Sequence, residues 1–223
     1  MAMLESETSW ARDWLFNAAL PLWWQVGADR AGGYYDKIHL DGTPLESARR
    51  LRVQARQTYV YLEAGRLGWA GPWREAALHG LQFMKAFLRP DGLFRMRVAP
   101  DGSPVDNGAD LYDQVFALFA LAHLYMAGIE PQLSLDLARA NAARLRAELA
   151  HPLGGFEEAH PRVLPLRSNP HMHPLEASRA WVDAGVSAPF EAIARELVGL
   201  ATSRLIDPET GAIGEFYDGD WRF

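Results

Sequence analysis

Hydrophobic side chains recur at helical spacing in seven stretches of the chain, and short polar segments separate these stretches. An alanine-rich composition with few β-branched runs also favours helices. Ser9 is the candidate N-cap of the first helix, and Pro21 is expected to kink its second half. The predicted helices are residues 10–26, 51–67, 73–88, 110–127, 133–149, 171–184 and 190–205.

Two kinds of helical pattern alternate along the chain. Residues 115–126 are apolar on every side, which is typical of a helix surrounded by protein. Residues 133–149 instead place Arg139, Asn141 and Arg144 around an apolar stripe, as a surface helix does. The alternation predicts an all-α protein with two concentric helix layers, arranged as an α/α solenoid or toroid.

A glycine followed closely by an aromatic residue recurs between the helices, in stretches rich in turn residues. These stretches are predicted to be short hairpins or ordered loops. Four such units and seven helices correspond to three and a half helix pairs, so we interpret residues 1–223 as one incomplete toroid domain. The four pairs are Gly33 and Tyr34, Gly92 and Phe94, Gly155 and Phe156, and Gly214 and Phe216.

Charge and composition exclude several classes of protein. The chain has 22 basic and 28 acidic side chains and a formal net charge of −6, which argues against a nucleic-acid partner. It has no cysteine, so disulfides and thiolate metal sites are excluded. The N-terminus lacks the basic start of a secretory signal, and residues 115–129 are too short an apolar run for a membrane span. We therefore expect a cytoplasmic protein without a membrane partner.

The densest cluster of candidate chemistry is the segment NPHMHPLEA at residues 169–177. If Asn169 is an N-cap, then Asn169, His173 and Glu176 share one helix face. His171 points elsewhere, which makes the two histidines a poor metal pair, and Pro174 favours a later helix start. A functional face and a simple capping motif explain the spacing equally well.

A polar stripe follows the second predicted helix, with members Arg49, Arg52, Arg56, Tyr59, Glu63 and Arg66. Such a stripe is either a solvated surface or, on an inner helix of a toroid, the lining of the central cavity. In the second case Arg56 is suited to hold sugar hydroxyls. Tyr112 and Asp113 begin the apolar helix, either at the cavity mouth or as ordinary helix-start residues.

Four segments together resemble the N-acylglucosamine 2-epimerase superfamily, which includes cellobiose 2-epimerases and mannose isomerases. They are GGYYD at 32–36, RVQARQTY at 52–59, YDQVFA at 112–117 and NPHMHPLEA at 169–177. The resemblance implies an (α/α)6 toroid around a sugar-binding cavity, without a metal or other cofactor. It also implies ring opening of an aldose, loss of the proton at carbon 2 and a cis-enediol intermediate. Reprotonation at carbon 2 gives an epimer, and reprotonation at carbon 1 gives a ketose.

The resemblance assigns roles to five residues. It implies His173 and Arg56 as catalytic residues, and Arg56, Tyr112, Asn169 and Glu176 as substrate-binding residues, with Asn169 and His173 helping to open the ring and Glu176 acting as support. Histidine suits proton transfer near neutral pH, and arginine suits the negative charge of an enediolate. The family's other two histidines lie in later inner helices. We expect this chain to lack them and to turn over little substrate alone.

Two other functions remain open from the residues. One is a non-catalytic sugar-binding or assembly module, completed by a second chain or by a homo-oligomer that covers the open edge of the barrel. The other is an (α/α)6 glycoside hydrolase or lyase, which needs a carboxylate pair such as one drawn from Glu157, Glu158, Asp106 and Asp110. The identity of the sugar, whether free, N-acylated or phosphorylated, stays open.

Overall fold

The computed structural model describes residues 2–223, and most of them lie in seven helical segments. The first segment consists of α1 (Ala2–Trp14), a π-helical turn (Leu15–Ala19) and α2 (Leu20–Gln25). The all-α prediction is confirmed. The other six helices are α3 (Leu51–Arg66), α4 (Trp73–Met84), α5 (Leu111–Met126), α6 (Pro131–Leu149), α7 (Ser168–Asp183) and α8 (Phe190–Leu200).

The helices form two layers. Helices α3, α5 and α7 lie side by side in chain order, and each is backed by the helix that follows it, namely α4, α6 or α8. Helix α5 is enclosed by α3, α6 and α7, and this explains why its sequence is apolar on every side. None of the helices over residues 2–223 is both long enough and apolar enough to cross a membrane.

Short antiparallel strands lie in the loops that lead into the inner helices. Strand β1 (Ala28–Asp29) pairs with β2 (Gly33–Tyr34), and β6 (Leu166–Arg167) pairs with β7 (Phe216–Tyr217). A three-stranded sheet has the order β3 (Arg49–Arg50), β4 (Arg97–Val98) and β5 (Pro104–Asp106). Because β3 and β6 run directly into α3 and α7, the sheets fix where these helices begin.

The fourth residue of each inner helix holds one of the glycine–aromatic loops. In α3, the Gln54 amide accepts the Tyr34 N–H at 2.7 Å and donates to the Tyr34 carbonyl at 2.9 Å. Gln114 of α5 binds Phe94 in the same way, at 2.9 and 2.7 Å. These loops are therefore ordered by side chains of the helices beneath them.

In α7 the equivalent residue is His171, which is buried. Its Nε2 lies 3.1 Å from the Phe156 nitrogen and 2.9 Å from the Phe156 carbonyl oxygen, and its Nδ1 lies 2.8 Å from the Arg167 carbonyl oxygen. The expectation that His171 points away from His173 agrees with this position. His171 therefore holds a loop.

Several expected details differ in the structure. Ser9 is not an N-cap, because α1 already begins at Ala2. Helix α7 begins at Ser168 rather than after Asn169, since β6 ends at Arg167 and leads straight into the helix. Pro174 lies inside α7, where its missing N–H costs one backbone hydrogen bond without ending the helix.

Two side chains also differ from their expected surroundings. Asn141 of α6 is buried rather than exposed, because its amide donates to the Gln114 side chain at 2.8 Å. Arg49 is not part of the polar stripe of α3. It is fully buried in β3, where it donates to the Gly32 carbonyl and pairs with Asp29 at 2.9 Å.

Candidate functional site

The inner helices present matching positions to their shared concave face. Residues two, six and nine of each helix lie on one side, because they are separated by four and three positions. In α3 these residues are Arg52, Arg56 and Tyr59; in α5 they are Tyr112, Phe116 and Phe119; in α7 they are Asn169, His173 and Glu176. All five residues expected to form the site therefore lie on this face.

Arg56 and Tyr112 are in direct contact across α3 and α5. The Arg56 Nη2 donates to the Tyr112 hydroxyl at 2.7 Å. The guanidinium carbon also lies 4.1 Å from the centre of the Phe116 ring, a cation–π distance. Arg56 is exposed to solvent and has no carboxylate partner among the ion pairs of residues 6–223. Its charge is therefore available to a ligand.

His173 completes the cluster from α7. Its ring centre lies 4.6 Å from that of Phe116 and 5.2 Å from that of Tyr112. The Nδ1 atom is 2.6 Å from the Glu176 carboxylate. When the Nδ1–H group donates a hydrogen bond to this carboxylate, the Nε2 atom of the neutral imidazole keeps its lone pair and can exchange a proton with a ligand. Phe116 contacts both Arg56 and His173, a role that the sequence did not predict for it.

A cavity of about 310 Å³ opens at the N-terminal ends of the three inner helices. Asn169 lines it together with Arg56 and Tyr112, so the polar ends of these side chains face one space. No group of histidine and carboxylate side chains in the part of the chain whose side chains are described, residues 6–223, could hold a metal ion. The remaining lining residues are Arg50, Arg52, Asp110, Arg167 and Pro170.

The half-buried Arg52 and the buried Asp113 form a support beneath Tyr112. The Arg52 side chain donates to both Asp113 oxygens, at 2.8 and 3.0 Å, and its guanidinium lies 4.9 Å from the Tyr112 ring centre. Burial raises the pKa of Asp113 to about 6, although the hydrogen bonds from Arg52 oppose this shift. Tyr112 lines the cavity and Asp113 does not, because neighbouring residues of a helix point about 100° apart.

The carboxylates considered for hydrolysis are held by local partners. Glu158 is buried against Arg167, with nitrogen-to-oxygen distances of 2.6 and 2.9 Å. Asp110 caps α5 through the Asp113 N–H at 2.7 Å, and Glu157 pairs with Arg162 at 2.8 Å. Asp106 accepts the Gly108 N–H within its own turn.

A second hollow of about 760 Å³ lies towards the C-terminal ends of the inner helices. Tyr59, Phe119 and His123 line it, and their ring centres are 4.6 to 4.7 Å apart. Burial lowers the pKa of His123, although Glu63 lies 3.4 Å from its Nδ1. His123 therefore borders this hollow, although it belongs to the apolar run of α5.

Comparison with known proteins agrees with the fold and the sequence motifs. A family model described as N-acylglucosamine 2-epimerase (GlcNAc 2-epimerase) matches residues 33–223. The chain is 44% identical over 215 residues to a mannose-6-phosphate isomerase of Rhizobium meliloti, which covers 93% of this chain and 55% of that relative. It is 23% identical over 231 residues to a cellobiose 2-epimerase of Bacteroides fragilis, covering 91% and 57%.

Among solved structures, a cellobiose 2-epimerase from Spirochaeta thermophila superposes with a TM-score of 0.88 and 23% identity. The match covers 99% of this chain and 59% of that one. The fold is therefore that of the (α/α)6 toroid, as expected. The chain spans little more than half the length of these relatives.

Proposed function

The chain belongs to the N-acylglucosamine 2-epimerase family, and we propose that its concave face serves the epimerisation or isomerisation of an aldose at carbon 2. The observation that carries this proposal is the contact of Arg56 and Tyr112, which line the cavity, with the adjoining rings of Phe116 and His173. The cluster combines a free cation, an aromatic wall and a proton-exchanging imidazole. These are the groups that an open-chain sugar and its enediol would need.

Arg56 is proposed to bind the oxygens at carbons 1 and 2. Removal of the proton at carbon 2 places negative charge on these oxygens, and a fixed guanidinium stabilises that charge in the transition state. The hydrogen bond to Tyr112 and the contact with Phe116 limit the positions that Arg56 can take. Positioning in advance of the reaction avoids the cost of reorientation.

His173 and Asn169 are proposed to bind the ring oxygen and the anomeric hydroxyl and to promote ring opening. Opening requires a proton on the ring oxygen and loss of a proton from the anomeric hydroxyl. The Nε2 atom of His173 can serve in either transfer, because Glu176 holds Nδ1 at 2.6 Å. The amide of Asn169 offers both a donor and an acceptor to the sugar hydroxyls.

Ring opening and proton exchange can be followed in one NMR experiment in D₂O with the 223-residue protein. Mannose, N-acetylglucosamine, cellobiose and mannose 6-phosphate are incubated separately, and the anomer exchange rate and the deuterium content at carbon 2 are measured. We expect faster anomer exchange with at least one sugar. His173→Gln should lower this acceleration by about 100-fold, the usual contribution of a general acid–base group.

His39→Gln is the matched control, because His39 is exposed in a distant loop and contributes only its backbone to the loop hydrogen bonds. This variant should retain the native rate. Arg56→Gln should lower anomer exchange less than His173→Gln does, since its proposed charge interaction develops at the enediolate, after the ring has opened. The proposal is wrong if none of the four sugars responds, or if His173→Gln opens the ring as fast as the native chain.

A further inference from the structure

A small pocket outside the sugar cavity has an excess of positive charge. Its volume is about 240 Å³, and three of the side chains that line it are Lys37, Arg50 and Arg97. We call it the basic pocket. Asp36 and Ser47 also line it. The pocket lies where the β3–β4 pair meets the turn before β3.

The strand pairing places like charges against each other. Arg50 of β3 lies directly opposite Arg97 of β4 in the antiparallel ladder, so both side chains leave the same face of the sheet. Like charges in directly opposed positions are destabilising. Lys37 adds a third positive charge to the same pocket. An arrangement of this kind gains free energy when an anion binds between the cations.

The acidic side chains nearby do not balance these charges. Asp36 accepts hydrogen bonds from the Arg50 N–H and side chain. Asp106 lies across β4–β5 from Arg97 but accepts the Gly108 N–H and does not line the pocket. Among the side chains of residues 6–223, neither Lys37 nor Arg97 has an ion-pair or hydrogen-bond partner. Their donors are free for a ligand.

We propose that the basic pocket binds a phosphoryl group. Arginine offers paired N–H donors that match two phosphoryl oxygens, and lysine adds a point charge. Arg50 borders both this pocket and the cavity that contains Arg56, Tyr112 and Asn169. A phosphorylated sugar can therefore place its ring in the cavity and its phosphoryl group in the basic pocket. That the phosphoryl group belongs to a sugar rests on the proposed function. Binding of free phosphate would need the basic pocket alone.

The test compares the binding of mannose, mannose 6-phosphate and inorganic phosphate to the 223-residue chain by calorimetry. The native chain should bind mannose 6-phosphate about tenfold more tightly than mannose, and added salt should reduce the difference. The double variant Lys37→Gln/Arg97→Gln should bind both sugars equally and leave the affinity for mannose unchanged. Lys85→Gln/Arg139→Gln is the control, because it removes the same charge from exposed positions on other elements.

The outcomes distinguish a sugar phosphate from free phosphate as the ligand, and they distinguish a failure of the basic pocket from a failure of the sugar site. Phosphate binding that depends on Lys37 and Arg97, without any binding of mannose, would support the basic pocket and contradict the proposed sugar site. Equal affinity of the native chain for mannose and mannose 6-phosphate would exclude a sugar phosphate as the source. The basic pocket itself is excluded if the double variant binds phosphate and mannose 6-phosphate as tightly as the native chain.

Discussion

The first two loops of the inner face are held by amides, and the third is held by an imidazole. Gln54 and Gln114 each bind both backbone groups of the aromatic residue above them. His171 occupies the same helical position in α7 and binds Phe156. The three loops thus have one geometry but two chemistries.

The difference lies in the number of protons that each side chain carries. An amide has a donor and an acceptor at every physiological pH, whereas a neutral imidazole has one N–H and one lone pair. The His171 Nε2 atom lies 3.1 Å from the Phe156 nitrogen and 2.9 Å from the Phe156 carbonyl oxygen, so this one atom can accept the N–H or donate to the carbonyl, but cannot do both. Burial lowers the pKa of His171 to about 4, because the charged form loses its hydration. Burial therefore favours the neutral imidazole in the third loop, whereas the amides of the first two loops carry no titratable proton.

The largest effect is expected where an amide is removed altogether. Gln54→Leu leaves the buried N–H and carbonyl of Tyr34 without partners, and the loss of both should cost about 3 kcal/mol of unfolding free energy. Urea denaturation followed by circular dichroism measures this loss. Gln57→Leu is the matched control, because Gln57 lies on the same helix, is partly exposed and makes no such pair of bonds. Equal losses of unfolding free energy in the two variants would contradict the role of Gln54 in holding the Tyr34 loop.

An effect of similar size, but confined to acidic pH, is expected at His171. Its pKa is about 4 when folded and about 6.5 when unfolded, so the unfolded chain binds more protons between these values. Stability therefore falls as the pH drops from 6.5 to 4, by about 3 kcal/mol from this group. His171→Gln copies the amide of the other loops and should remove most of this slope. The unfolding free energy is measured at each half pH unit.

The reverse substitution provides the control for this result. Gln114→His installs an imidazole in the second loop, where it should add acid sensitivity that the native loop lacks. The other groups that face His171 are His151, Arg167 and the Trp221 ring, and none of them is altered by either variant. If the slope of His171→Gln equals that of the native chain, His171 does not account for the acid sensitivity.

Helix positions could be predicted from the sequence because the helical period is a local property. The start of α7 could not, because the pairing of β6 with β7 brings together Arg167 and Phe216, which are distant in the chain. Asn141 also escaped prediction. A polar residue beside an apolar stripe is predicted to be exposed. Asn141 is buried because it donates a hydrogen bond to Gln114, which belongs to another helix.

The candidate site shows the same division. The spacing of Asn169, His173 and Glu176 could be read directly, since one helix carries all three. The contact of Arg56 with Phe116 depends on how α3 packs against α5, which no local pattern reports. Gln54 and Gln114 stand within the quoted motifs, yet their role became visible only with the loops in place.

The smallest change in stability is expected at Trp221, whose ring packs over His171 and the third loop. The Trp221 Nε1–H donates to the His151 Nδ1 and the Gly154 carbonyl, each at 3.1 Å, and its ring centre lies 4.7 Å from that of His171. Trp221→Phe keeps an apolar ring but removes the donor, so we expect a loss of about 1 kcal/mol at pH 7 in urea denaturation. Because the new ring still shields His171 from water, the pH dependence should stay native. Trp221→Ser should instead hydrate the imidazole, raise its pKa and flatten the slope, and an unchanged slope in that variant would mean that Trp221 does not keep His171 neutral.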